Sequence, residues 1–161
     1  GEMRDQESIQ LALEAAETGH LVMSTLHTMS ATKTVDRIIE VFPGNLQAQI
    51  RSGLSESISA VISQTLFRRI DHMGDVVGRV AALEIMVATN AVRALIREDN
   101  THQLLGSIQT GKKYGMQTLD SHIEELLERG LIKPLDAYRK SMDKENFRQY
   151  LSERELDEIG E

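Results

Sequence analysis

The sequence predicts an α/β chain whose first part alternates helices and strands and whose second part is all helical. Three observations carry this. "LVMSTL" (Leu21–Leu26) is an almost unbroken apolar run, as in parallel strands covered by helices on both faces. "AVISQTLFRRI" and "GRVAALEIMV" (Gly78–Val87) are strand-like runs on either side of "DHMGD", a Gly-containing turn, and read as a hairpin. From Thr89 onward the apolar spacing is nearly all helical.

Asp5 is placed to cap a first helix, because its carboxylate can accept from the free N–H groups of a first turn. Ile9, Ala12, Leu13 and Ala16 form its apolar stripe, and Gly19 ends it. After the Leu21–Leu26 strand, expected to be buried on both faces, Ser30 caps a second helix. Val35, Ile38, Ile39 and Phe42 form its stripe, and Pro43-Gly44 stops it. Leu46, Ile50, Leu54, Ile58 and Val61 share one face of a third helix before the hairpin. Helices are then expected over 90–98, 101–110, 118–129, 134–141 and 145–157. Thr101 and Thr118 are their candidate caps, Gly130 a stop and Pro134 a first-turn residue. The change near Val87–Thr89 divides the chain into an α/β part, 1–88, and a helical part, 89–161.

Composition narrows the function classes. The 161 residues are 40% hydrophobic and 27% charged, with a net charge of -7. That acidity argues against general nucleic-acid binding, which needs a basic face. No apolar run approaches the roughly 20 residues that span a bilayer, and no signal peptide is visible. With no Cys, there is no disulfide framework and no thiolate metal site. His72, His102 and His122 lack metal-ligand spacing, and His102 and His122 read as helix-surface residues. The seven Met read as core filler or turn residues. Arg68 and Arg69 read as a solvated strand end. The chain opens on "GEMRD" with no initiator Met and no strand before it, and it is expected to be a fragment.

Ligands of doubly wound sheets bind at the carboxyl ends of strands. If "GEMRD" follows a strand that neighbours Leu21–Leu26 in parallel, Glu2 and His27 emerge on the same edge. A carboxylate and an imidazole converging there can position a water and meet a phosphate. His20 stands at the opposite end of the run.

"GEMRDQESIQLALEAAETGHLVMSTLHTMSATKTVDRI" resembles the second half of a secretion ATPase of the type II/type IV pilus superfamily. "GEMRD" is similar to the end of that family's Walker B motif, and "TGHLVMSTLHT" to its His box. "NAVRALIRED" (Asn90–Asp99) and "IQTGKKYGMQTLDSHIEELLERGLI" resemble the pilus-retraction, PilT-type branch. The resemblance implies the second half of a RecA-like P-loop ATPase core, a mixed sheet with flanking helices, followed by a helical subdomain. It implies ATP as substrate with Mg2+, Glu2 as the catalytic residue that polarises the attacking water, and Mg2+ reached from Glu2 through water. It assigns His27 to the γ-phosphate, places His20 in the same box and Arg4 beside the site. Ala91, Val92, Arg93, Leu95, Ile96, Arg97 and Glu98 match the retraction motif, which transmits motion. Val92 stands where the motif has Ile, and Ala94 where Asn is commoner. The resemblance further implies a homo-hexamer at the cytoplasmic face of the inner membrane, peripheral to it, working on a membrane platform protein during twitching motility and binding no nucleic acid.

"GxxxxGK[ST]" does not occur in the 161 residues, and "TGKKYG" at 110–115 lacks the spacing and the Ser or Thr of a phosphate loop. Family members carry that loop upstream, so this stretch alone is expected not to hydrolyse ATP. Two other readings fit parts of the sequence: a pilus-assembly or type II secretion ATPase, and a non-catalytic oligomerisation module.

Overall fold

A computed structural model describes residues 1–160. The elements run α1 (Gln6–Glu17), α2 (Ala31–Glu40), α3 (Gly44–Ser57), β1 (Ala60–Ile70), β2 (Val76–Val87), α4 (Asn90–Arg97), α5 (Leu104–Thr110), α6 (Leu119–Glu128), α7 (Pro134–Lys140), α8 (Lys144–Arg148) and α9 (Glu153–Ile159). Short 3₁₀ turns stand at Thr101–Gln103 and Lys112–Tyr114. This is the mixed α/β class that the sequence predicts.

Local chemistry sets most boundaries. Asp5 accepts from Ser8 N at 2.8 Å, Ser30 from Lys33 N at 3.2 Å and Thr118 from Ser121 N at 3.1 Å, each capping a first turn. Gly19 (φ +94°) lets the chain turn out of α1, a conformation open to glycine at no steric cost. In the hairpin turn, Asp71 N donates to Asp75 O at 3.0 Å. The Asp71 carboxylate accepts from Met73 N and Asp75 N.

Packing groups the chain into two units. Chain order separates 1–88 from 89–161, whereas contacts gather Gly1–Ser63 with Ile85–Met116, and Gln64–Glu84 with the chain from Gln117 on. The physical reason is strand length: β1 and β2 have 11 and 12 residues, and each contributes one end to each unit.

The first unit buries Ile9 of α1, Val35, Ile38 and Ile39 of α2, Leu54 of α3, Met86 of β2 and Val92 and Ile96 of α4. Burying residues of this size contributes roughly 1.5–3 kcal/mol each. In the second unit, Phe67 and Ala82 of the hairpin pack with Leu119, Ile123 and Leu126 of α6, Ala137 of α7 and Phe147 of α8. Helix ends here are tied by side chains. Lys144 Nζ donates to the carbonyls of Tyr138, Arg139 and Ser141 at 2.6–2.8 Å, closing α7. Burial pulls that ammonium below the usual lysine range. Asp120 accepts from Met142 N and Asp143 N, both at 2.8 Å, just ahead of α8.

Several elements differ from expectation. Residues 21–26 are extended but not buried on both faces: Leu21 is 84% and Met23 79% exposed. Among the described residues their pairing is a single parallel bridge, Thr25 to Glu2, while Leu26 packs against the first unit's core. Val61 lies in β1, because α3 closes at Ser57. Thr101 caps no helix; it lies inside a 3₁₀ turn, and α5 starts at Leu104. The last helix is two. Ser152 opens α9 with a capping box in which Ser152 N donates to Glu155 Oε2 at 2.9 Å, so the chain restarts there. His122 is half-buried and accepts from Leu83 N at 3.0 Å rather than lying free on a helix surface.

Candidate functional site

Glu2 and His27 meet. Met3 N donates to Thr25 O at 3.1 Å and Thr25 N to Gly1 O at 3.3 Å, so the opening residues lie parallel to the end of the extended segment. Ser24 Oγ also donates to Gly1 O. This register carries both side chains to one edge, where α1 and α2 begin. Glu2 Oε1 is 3.3 Å from His27 Nε2, and Glu2 Oε2 is 2.6 Å from Arg4 Nη2. Each carboxylate oxygen therefore has its own cationic or N–H partner.

The turn after the strand holds His27 in place. Its backbone is left-handed (φ +51°), unusual for a residue other than glycine. Thr28 Oγ1 bonds Thr34 Oγ1, which in turn donates to Ser30 O at 2.8 Å, fastening the turn to the first turn of α2. Such local strain is found where surrounding contacts over-determine a conformation.

Electrostatics follow the geometry. The Arg4 hydrogen bond holds the Glu2 carboxyl below the usual glutamate range; desolvation opposes this and His27 adds a smaller lowering. Glu2 in turn raises Arg4, whose guanidinium stays charged. The Glu2 side chain is 27% exposed, while Arg4 and His27 are about three-quarters exposed and open to an incoming anion. The cluster offers an ionised carboxylate, an imidazole and a guanidinium side by side at one parallel bridge, which suits positioning water against a phosphoryl group.

His20 is not brought there. Its Nδ1 lies 3.1 Å from Thr18 Oγ1 and 3.2 Å from Ala15 O, at the C-terminal end of α1. An extended chain rising about 3.3 Å per residue separates it from His27 by roughly 20 Å.

The α4 motif lies apart from this edge in the chain and divides between two roles. Val92 and Ile96 are fully buried and Leu95 partly so, while Ala91, Arg97 and Glu98 are exposed. Arg93 Nη1 donates to Ser55 O at 2.6 Å and Glu56 O at 2.7 Å, and its Nε to Ala88 O at 3.1 Å. It thus closes the last turn of α3, whose carbonyls have no partner within the helix. Sequence reasoning missed Arg51, which pairs with Asp99 at 2.8 Å, and the Ser24, Thr28 and Thr34 hydroxyls of the strand end. The hydroxyls had a local signal in "MSTLHT"; Arg51, far from Asp99 in the chain, had none.

Among the described residues, no group of three or more His, Asp and Glu forms a ready metal cage. No helix is long and apolar enough to cross a membrane.

Residues 1–138 match the family described as type II/IV secretion system protein. The chain is 55% identical over 147 residues to the type IV pilus retraction ATPase PilT of Pseudomonas aeruginosa, covering 91% of this chain and 41% of that protein. It is 53% identical over 146 residues to a twitching motility protein of Neisseria gonorrhoeae, covering 91% and 38%. The crystal structure of the pilus retraction motor PilT with bound ADP aligns with a TM-score of 0.78 at 41% identity, over 91% of this chain and 39% of that one. The chain thus spans about two fifths of the length of these relatives.

Proposed function

The chain belongs to the type II/IV secretion system protein family, and on that premise we propose that it forms part of an ATP-hydrolysing motor for type IV pilus retraction. The observation that carries this reading is the meeting of Glu2 and His27 at a parallel strand end, with Arg4 beside them. The similarity to a pilus retraction ATPase over 91% of the chain supports the direction of work.

In this reading Glu2 orients a water for attack on the γ-phosphorus and takes its proton as the new P–O bond forms and the bond to the β–γ bridging oxygen breaks, releasing ADP and inorganic phosphate. His27 meets the phosphate oxygens with its exposed imidazole and reports their presence to the turn it occupies. Arg4 keeps the carboxylate ionised and adds positive charge near the phosphate. His20 steadies the far end of the segment by its bond to the end of α1. Glu2 would hold Mg2+ through water, because that ion keeps most of its own water shell. When bound, the ion neutralises charge on the transferred phosphoryl group. Residues 1–88 then supply the ATPase half and 89–161 the helical half, with Ala91 to Glu98 passing motion onward. The assembly is a homo-hexamer at the cytoplasmic face of the inner membrane, acting on a platform protein.

The test uses the full-length protein that contains this chain. It should hydrolyse ATP in the presence of Mg2+ and restore twitching to a retraction-deficient strain. ATP hydrolysis that restores pilus assembly instead, or no hydrolysis at all, contradicts the proposal.

A further inference from the structure

α3 and α4 are antiparallel neighbours joined at two separate points. At one, Arg93, in the first turn of α4, spends its guanidinium on the Ser55 and Glu56 carbonyls that end α3. At the other, Asp99, just past the end of α4, pairs with Arg51 of α3 at 2.8 Å. Between them Ile96 shares a core with Leu54 and Leu95 packs against it, and Val92 and Ile50 extend the seam just beyond the ties. The two ties sit about one helical turn apart along α3 and nearly two apart along α4. A single tie leaves a helix free to pivot; two ties on either side of a packed seam do not.

The Arg51–Asp99 tie is placed with care. The Arg51 side chain is 17% exposed, so its charge has little water to fall back on if Asp99 is lost. Asp99 holds a left-handed backbone (φ +60°), which Asp and Asn adopt more readily than other residues with a side chain. The turn is locked by Asn100 N donating to Leu95 O at 2.8 Å.

We propose that α3 and α4 form one rigid coupling element, with Arg51 and Asp99 as its positioning residues, so that the motif helix moves together with α3 and never against it. This rests on the motor reading above and extends it: the motif alone is half of the moving part.

Two arms test this in the full-length protein. In the first, Asp99→Asn keeps the turn and Arg51→Gln keeps the side-chain length, and each removes one charge of the tie. With thermal midpoints checked, each variant should retain ATP turnover while retraction per ATP hydrolysed falls roughly tenfold, as expected when a coupled part is slightly misplaced. A purely structural role would lower turnover and retraction together. In the second arm, Cys is introduced at 51 and 99 of a protein otherwise free of Cys, as this chain is. A short bis-maleimide then joins them. Turnover that survives joining supports a rigid element. Joining that stops turnover shows that α3 and α4 must slide, and overturns it. Variants that couple as well as wild type also overturn it. A wild-type protein that neither hydrolyses ATP nor restores twitching removes the motor reading and the inference with it.

Discussion

Glu2 Oε1 lies 3.3 Å from His27 Nε2, although a whole helix and an extended segment separate the two residues in the chain. The parallel bridge between Glu2 and Thr25 is what brings them together. Carboxylate and imidazole thus share one edge, with the guanidinium of Arg4 on the second carboxylate oxygen.

Arg4 is the chief cause of the lowered Glu2 carboxyl. Arg4→Ala should therefore move the Glu2 titration midpoint upward, read by carboxyl carbon NMR. Arg4→Lys should fall between, having a charge but no fork. Because the folded value is depressed, the pair's stabilisation is present above the ordinary glutamate range and is lost as pH falls through the lowered value. An unchanged midpoint in Arg4→Ala would count against the assigned cause.

Arg93 makes three charge-assisted bonds to backbone carbonyls, two of them, to Ser55 O and Glu56 O, closing α3. Arg93→Ala should lower stability by about 2 kcal/mol, since it strips a charged donor from partly buried acceptors. Arg93→Lys should recover part of that. Urea denaturation of the two variants checks the order; equal midpoints for wild type and Arg93→Ala would refute it.

Phe67 is 1% exposed and anchors the hairpin in the second core. Phe67→Ala should cost about 4 kcal/mol. Amide exchange should quicken across α6 and α7 in particular. A uniform, small effect would show that the hairpin is not part of that core.

Leu83 offers both backbone groups to side chains: its N–H to His122 Nδ1 at 3.0 Å and its C=O to Gln117 Nε2 at 2.9 Å. His122→Phe leaves that N–H without its acceptor. Its hydrogen exchange should speed up by about tenfold or more, matching loss of a part-buried bond. Exchange at the wild-type rate would contradict the tie.

Glu155 holds the start of α9, and the Ser152 backbone bond is the first cause of its lowered carboxyl. The box is intact above the ordinary glutamate range and fails as pH falls through the depressed value. Amides of α9 should lose protection over that acid window, and Glu155→Ala should lose it already at neutral pH.

How much of this was legible depended on the reach of each interaction. Asp5, Ser30 and Thr118 cap within three residues, so their helices could be read directly. The hairpin was legible for the same reason: Asp71, Gly74 and Asp75 make a turn among themselves. The meeting of Glu2 and His27 was legible only through the assumption of neighbouring parallel strands. Exposure of Leu21 and Met23 was not, because burial belongs to what packs against a strand and not to its own apolar run. The break between α8 and α9 did carry a local sign, Ser152 followed by Glu155, hidden inside a continuous acidic helical pattern. The Arg51–Asp99 pair spans three elements and leaves no mark in any short window.

The central claim, that Glu2 activates water at a phosphate site, is tested most directly by ATP turnover of Glu2→Gln in the full-length protein. The account predicts that turnover falls by about a hundredfold or more, the usual contribution of a positioned base, while ATP still binds and the thermal midpoint holds. Turnover within severalfold of wild type would contradict it.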